Sequence, residues 1–285
     1  MNESIVKIAE QIPGARYFYH KIRQLEAKLR YAGSNYICPI CQKSFSRFRD
    51  AGINQTTLIQ KQVIGAGVRK NAACPHCFSL ERQRLEFLYL NEHTDIFKVT
   101  GGGEKYKVLH FAPESSLENV LKKSPTVNYY SGDLNKNRAM YKVDITNICF
   151  GDSEFDYVIC NHVLEHIPDE VKALSEIKRV LKHKGEVIIT IPVSPILETT
   201  LEEPTTTPEE RLALYGQYDH VRLYGLDFSE RLSKAGFEVK TFETNTNVLP
   251  QNVTKYALLS NETIYIGKVD KTRGNQKSSL VFSDT

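Results

Sequence analysis

The chain lacks any apolar stretch of membrane-spanning length. Its strongest apolar runs, such as VIITIPV at 187–193, fall well short of the roughly 20 residues a span needs. Its opening, MNESIVKIAEQIPGAR, carries acids and no continuous apolar segment, so no secretory signal is expected and the reading is a soluble, cytoplasmic protein. The first 92 residues show no dense Lys/Arg run and no interleaved stacking aromatics, which weakens a purely nucleic-acid-binding reading. Cysteine is scarce, six in 285 residues, and in a cytoplasmic chain that argues against a disulfide framework.

What is present is ordinary globular composition, 41% apolar and 25% charged, which excludes wholesale disorder and collagen. The length predicts about two domains and allows a large core. Charge is divided unevenly: residues 1–92 hold 14 basic and 7 acidic groups, residues 93–285 hold 23 and 27. A basic N-terminal module could meet something anionic, such as nucleic acid, an acidic glycan or lipid headgroups. A solvated surface with a modest excess of charge reads equally well.

Four of the cysteines form two pairs, CPIC (Cys38, Cys41) and CPHC (Cys74, Cys77), with 32 residues between them. A two-residue gap turns both thiolates of a knuckle toward one ion. Two knuckles complete a tetrahedral sulfur shell that suits Zn²⁺ and leaves no open position, so the ion's role is structural; redox dithiols or an iron–sulfur cluster are the alternative readings. Phe45 and Phe48 are expected beside the metal, and His76 on the exterior. Cys149 and Cys160 read as buried apolar fillers. Residues 3–31 read as a basic helix broken at Pro13-Gly14, with Ile22, Leu25 and Leu29 at helical spacing and packing on their own domain. A second helix is expected over 79–93, and a linker around 98–105.

From 107 onward short apolar runs alternate with amphipathic segments, the pattern of a parallel sheet covered by helices. Strands are expected at 107–112, 129–133, 141–145, 155–160, 186–192, 237–242 and 263–267, with helices at 116–123, 169–182 and 226–235. The fold class is α/β, a doubly wound Rossmann-like sheet with a small N-terminal zinc module. The domains read as 1–37 (basic helix), 38–98 (four-cysteine module and helix), 99–268 (sheet domain) and 269–285 (polar tail). In an open α/β sheet, ligands lie beyond the carboxyl ends of the strands. Asp133, after the second strand, can accept both hydroxyls of a ribose. Asp144, after the third, can accept the amine of an adenine, with Ile145 beside the ring. Together they favour an adenosine-containing ligand.

The segment FDYVICNHVLEHIPDEVKALSEIKRVLKHKGEVIITIP (155–192) resembles the class I S-adenosylmethionine-dependent methyltransferases, particularly the methyltransferase type 11 group, over about 107–267. CPIC, CPHCFSLERQR, VLHFAPE and YDHVRLYG together resemble a bacterial subfamily of such enzymes that carries an N-terminal pair of zinc knuckles. The resemblance implies a seven-stranded sheet whose last strand inserts antiparallel. It also implies that S-adenosylmethionine is held by Asp133 and Leu134, by Asp144 and Ile145, and by Asn161 and His162 at the methyl end. The family's first motif, acid-x-Gly-x-Gly-x-Gly, is replaced here by VLHFAPESS, with His110, Ala112, Glu114 and Ser116 at those places. Ala112 and Pro113 would let the chain pass near the ligand, and Glu114 could accept its ammonium.

The implied activity is methyl transfer to an O or N of a substrate that could be a small metabolite, a glycan or RNA. The alternatives are a zinc-module nucleic-acid-binding protein or RNA methyltransferase, and a methyltransferase fold that has lost activity. In YDHVRLYG, His220 could act as a base oriented by Asp219, Arg222 could clamp an anionic substrate, and Tyr215 or Tyr224 could close on the sulfonium. A salt-bridged loop is the competing reading of that trio. HVLEH, with His162, Glu165 and His166, also fits the H-x-x-E-H pattern of inverted zinc peptidases. The strand running straight into it and Pro168 just after it oppose the long helix such a site needs; a packed loop in which backbone satisfies His166 is a further reading.

Overall fold

The computed structural model of the protein describes residues 31–99, 103–203 and 207–270, with 22, 25, 26, 29 and 30 before them. The Pro13-Gly14 break and the polar tail beyond 270 lie outside the described residues. Ile22, Leu25 and Leu29 are helical, as their spacing predicts, but all three are exposed rather than packed.

The N-terminal module consists of two short hairpins, β1 (Tyr36–Ile37) with β2 (Ser44–Phe45) and β3 (Arg49–Ala51) with β4 (Arg69–Ala73), and a small helix α1 (Thr56–Gln60). Its two knuckles repeat one backbone pattern. Cys38 N–H donates to Lys43 O and Gln42 N–H to Cys38 O; Cys74 N–H donates to Ser79 O and Phe78 N–H to Cys74 O. Gln42 and Phe78, four residues after each first cysteine, both turn left-handed, with φ of 56° and 62°. The following helix, α2 (Glu81–His93), lies on the main sheet and buries Leu85, Tyr89 and Leu90 against Val108, Ile159, Ile188 and Ile264.

The main sheet follows the alternation in the sequence: β5 (Tyr106–Phe111), α3 (Ser115–Lys123), β6 (Val127–Asp133), β7 (Tyr141–Lys142), β8 (Phe155–Asn161), α4 (Glu170–Val180) and β9 (Leu181–Thr190). After a long insertion come α5 (Pro208–Tyr215), α6 (Phe228–Lys234), β10 (Glu238–Glu243), α7 (Thr244–Asn247), α8 (Pro250–Lys255) and β11 (Thr263–Lys268). Strand order is β10-β11-β9-β8-β5-β6-β7, with β11 antiparallel to both neighbours and the other pairings parallel. This is the doubly wound sheet the alternation predicts. The order in which strands are added reverses between the parallel β5 and β8, so the crevice opens at their carboxyl ends.

Three local differences have physical causes. The third strand shrinks to Tyr141–Lys142, because Asp144 folds back in an isolated bridge with Asn147. Helix α4 ends at Val180, earlier than expected, and β9 begins at once with a register shift against β8. The Thr/Glu/Pro-rich insertion contains α5, started by a capping box in which Thr207 and Glu210 exchange hydrogen bonds around Pro208. It ends at Gly216, φ 81°, where a Cβ would collide with Leu58. Leu58, Val63 and Ala66 from between the knuckles pack there with Tyr215, Leu201 and Leu223. The interval between the two cysteine pairs thus forms part of the roof over the insertion. Of the two lone cysteines, Cys160 is buried as expected and Cys149 is exposed.

Candidate functional site

The first turn after β5 has no glycine, yet it takes a glycine-like conformation: Ala112 has φ 44°. Its N–H still donates to Gly132 O at the end of β6, at 2.9 Å. A left-handed alanine costs roughly 1–2 kcal/mol, and glycine returns some of that through a more flexible unfolded chain. Ala112→Gly is therefore expected to raise stability by about 0.5–1 kcal/mol, read as a shift of the denaturant midpoint.

Beyond this turn lies a cavity of about 800 Å³. It is lined by residues 112–116, by Asn135, Asn137 and Arg138 after β6, and by Cys77 and Phe78 of the second knuckle. His110 and Phe111 do not plug it, since both point into the packed sheet and neither lines the space. Asp133 ends β6 and does not itself line the cavity, but its neighbours Asn135 and Arg138 do. Its Oδ1 accepts from Asn135 N–H at 2.7 Å, and Oδ2 stands 3.9 Å from Arg138 Nε. Asp144 is exposed and accepts Thr146 N–H and Oγ1–H through Oδ1. Leu134 is exposed, whereas Ile145 is buried in the core with Phe111 and Val143. Glu114 and the side-chain amides of Asn135 and Asn137 around an open space suit a nucleoside.

A buried acid network closes the inner wall. Asn161, at the end of β8, donates from Nδ2 to Glu86 Oε2 at 2.6 Å and Glu114 Oε2 at 3.0 Å, and accepts from Thr190 Oγ1. Glu114 also meets Arg82 at 3.4 Å and lies 3.8 Å from His110 Nε2. Burial, and then the Glu114 charge, push Glu86 well above the usual carboxylate range, so Glu86 keeps its proton. Burial opposes ionisation of Glu114, but His110 and Arg82 outweigh it and draw its carboxyl down to about 2. Glu86 and Arg82 come from α2 and escaped the sequence reading, because ERQRLE looks like a solvated helix face.

The sign of the pH effect follows. Above the ordinary carboxylate value of 4.5, unfolded Glu86 releases a proton that the native state retains. Stability therefore falls as pH rises from about 4.5 toward the raised native value. Glu86→Gln is expected to remove that slope and to gain stability near pH 7, measured by urea unfolding of both proteins from pH 5 to 8.

The loop after β8 and the YDHVRLYG loop meet. His162 is left-handed, with φ 50°, and its Nδ1 stands 3.2 Å from Glu165 Oε1. Residues Leu164–His166 form one 3-10 turn rather than a peptidase-like helix. His166 Nδ1 lies 3.2 Å from Asp219 O and 3.4 Å from Asp219 Oδ2, and its ring stands edge-on to His220 at 4.7 Å. Burial pushes His220 down to about 4, so its imidazole is neutral near pH 7. Asp219 thus orients His166 rather than His220. Arg222 is buried and faces no cleft: it donates to Leu164 O, Ile167 O, Pro168 O and Glu202. Tyr215 and Tyr224 are fully buried, with hydroxyls bonded to Glu203 N–H and Glu170, and do not close over the crevice.

Cys38, Cys41, Cys74 and Cys77 converge, with all four sulfurs within 4.8 Å of one another. Cys38 and Cys77 Sγ are 3.5 Å apart, and Cys41 and Cys74 Sγ 3.7 Å. A tetrahedron with Zn–S bonds of roughly 2.3 Å has edges of about 3.8 Å; a disulfide would be near 2.05 Å. The cluster fits a zinc ion. Ser79 Oγ lies 3.4 Å from Cys38 Sγ and 3.3 Å from Cys77 Sγ, placed to orient the ligands. His76 stays outside, next to Lys43.

Among known proteins, the family model described as a methyltransferase domain matches residues 108–189. A curated relative, an uncharacterized protein of Methanocaldococcus jannaschii, is 46% identical over 48 residues, 17% of this chain and 21% of its own length. The matched segment thus spans about a fifth of that relative. Among solved structures, the 4+2 cyclase SpnF is similar with TM-score 0.47 and 14% identity, covering 67% of this chain and 84% of the cyclase. An S-adenosylmethionine-dependent methyltransferase from Archaeoglobus fulgidus gives TM-score 0.41 and 15% identity, covering 66% and 94%.

Proposed function

We propose that the protein, whose residues 108–189 match a methyltransferase domain, moves the methyl group of S-adenosylmethionine to an oxygen or nitrogen of an acceptor. The observation that carries this reading is the cavity beyond β5 and β6, lined in part by a left-handed Ala112. Asp133 would take the ribose hydroxyls and Asp144 the adenine amine, while Asn161 and His162 would border the methionine end. The anionic Glu114, beside a protonated Glu86, would receive the ligand's ammonium. When bound, the cofactor supplies an electrophilic methyl on a sulfonium. The chain's part is to align donor and acceptor, which can supply roughly 7–11 kcal/mol without acid–base help. The four thiolates of the N-terminal module would hold a structural Zn²⁺.

Isothermal titration with S-adenosylhomocysteine tests the reading. Wild type should bind it, and Asp133→Ala should bind about 100-fold more weakly, since two hydrogen bonds to a charged acceptor are each worth roughly 1.5–3 kcal/mol. No binding to wild type at millimolar ligand would remove the enzymatic claim.

A further inference from the structure

The carboxyl end of β8 carries donors that methyl transfer leaves unused. We propose that Glu165, His166 and His220 form a second metal site, distinct from the four thiols, which binds a divalent transition ion and keeps a coordination position open. One ligand atom from each residue lies within 4.8 Å of the others. A tetrahedral ion with bonds of roughly 2.0–2.1 Å draws its ligands to about 3.3 Å. Small side-chain rotations close that gap.

Three observations point to an ion rather than to a packed polar cluster. Glu165 is wholly buried and its oxygens accept no hydrogen bond of good geometry; burial opposes its ionisation, but the imidazole of His162, with Nδ1 3.2 Å from Oε1, outweighs that and holds the carboxyl below its ordinary range. A buried, ionised carboxylate this sparsely hydrogen-bonded favours a cation beside it. His220 Nδ1 is also buried without a partner. The third observation is the setting of His166. Its Nδ1 faces the carbonyl and carboxylate of Asp219 at 3.2 and 3.4 Å, which fixes the N–H there and leaves Nε2 as a lone-pair donor. Metal-binding histidines are characteristically held this way.

The loops are also fastened together around the donors. Val221 N–H donates to Glu165 O at 2.8 Å, and the Arg222 guanidinium ties Leu164 O and Ile167 O at 2.6 Å each. Arg222 is therefore a positioning residue, which keeps His220 against the Glu165 turn. Two imidazoles and one carboxylate suit Zn²⁺ or Fe²⁺ better than Mg²⁺ or Ca²⁺. With three protein ligands, water or an acceptor oxygen completes the shell, entering beside the half-exposed His166. The site does not depend on methyl transfer, and metal counting reads it without any methyl donor.

The test uses the full chain saturated with Zn²⁺, desalted and counted by elemental analysis. Wild type should retain two ions per chain, and Glu165→Gln, His166→Ala and His220→Ala should each retain one. Glu165→Gln keeps the shape and removes a buried charge, so its fold should survive; His166→Ala, at a half-exposed position, gives the same count should His220→Ala not fold. Cobalt substitution separates the sites. The thiolate-to-cobalt charge-transfer bands should persist in Glu165→Gln, while the weaker visible bands of the nitrogen- and oxygen-ligated ion disappear. One zinc per chain in saturated wild type, or two in all three variants, would overturn the proposal.

Discussion

Cys74→Ser is expected to abolish the zinc binding proposed for the N-terminal module and unfold residues 36–79, the largest single effect predicted for this chain. Cys74 is buried and its sulfur lies 3.7 Å from that of Cys41, so serine changes the fit little but removes a thiolate. The module has a small apolar core, chiefly Tyr31, Ile40, Phe45 and Phe48 with Leu117 of α3. Structural zinc contributes roughly 10–16 kcal/mol in small fingers, more than such a core can replace. Hydrogen exchange of amides 36–79 should become fast, and the melting temperature should fall by more than about 10 °C. Unchanged exchange in the zinc-free variant would show that the cysteines do not hold the module together.

Arg84→Met should be nearly as damaging, through a different route. Arg84 is fully buried and donates to Ala72 O at 3.0 Å, Ser79 O at 2.5 Å, Tyr256 O at 2.8 Å and Ala257 O at 2.5 Å. Its guanidinium also stacks 4.9 Å over Phe48. One side chain thus ties both ends of the second knuckle to the chain after α8. Methionine keeps the apolar stem but takes the guanidinium from the carbonyls of Ala72, Tyr256 and Ala257, at about 1–3 kcal/mol each, while Ser79 O keeps the Cys74 N–H. These losses are not additive, and a total of about 3–5 kcal/mol is expected, read as a fall of roughly 10 °C in melting temperature. Burial pushes the Arg84 pKa down, whereas the nearby cysteines and Glu81 push it up. Lysine cannot span the same fork of acceptors, so Arg84→Lys should recover little of the loss. A variant within about 1 kcal/mol of wild type would mean that water replaces the guanidinium.

Much of this was legible in the sequence for identifiable reasons. The strands from Tyr106 to Thr190 are short apolar runs separated by amphipathic helices, and that alternation allows few topologies. The cysteine pairs were equally plain, because two-residue spacing has few other uses. What stayed hidden were contacts between distant segments. Arg82, Arg84 and Glu86 look like a wet helix face, yet α2 turns them toward the crevice wall and the knuckles. Arg222 looked like a substrate clamp because a sequence does not show that Leu164 O and Ile167 O wait beside it. The capping signal TPEE was present at 207–210, but the surrounding Thr and Pro residues masked the helix it begins.

The most direct measurement is a crystal structure grown with S-adenosylhomocysteine. The account predicts the adenosine between the 112–116 turn and residues 135–138, with both ribose hydroxyls on Asp133. A ligand bound elsewhere, or a crevice left empty at saturating concentration, would contradict it.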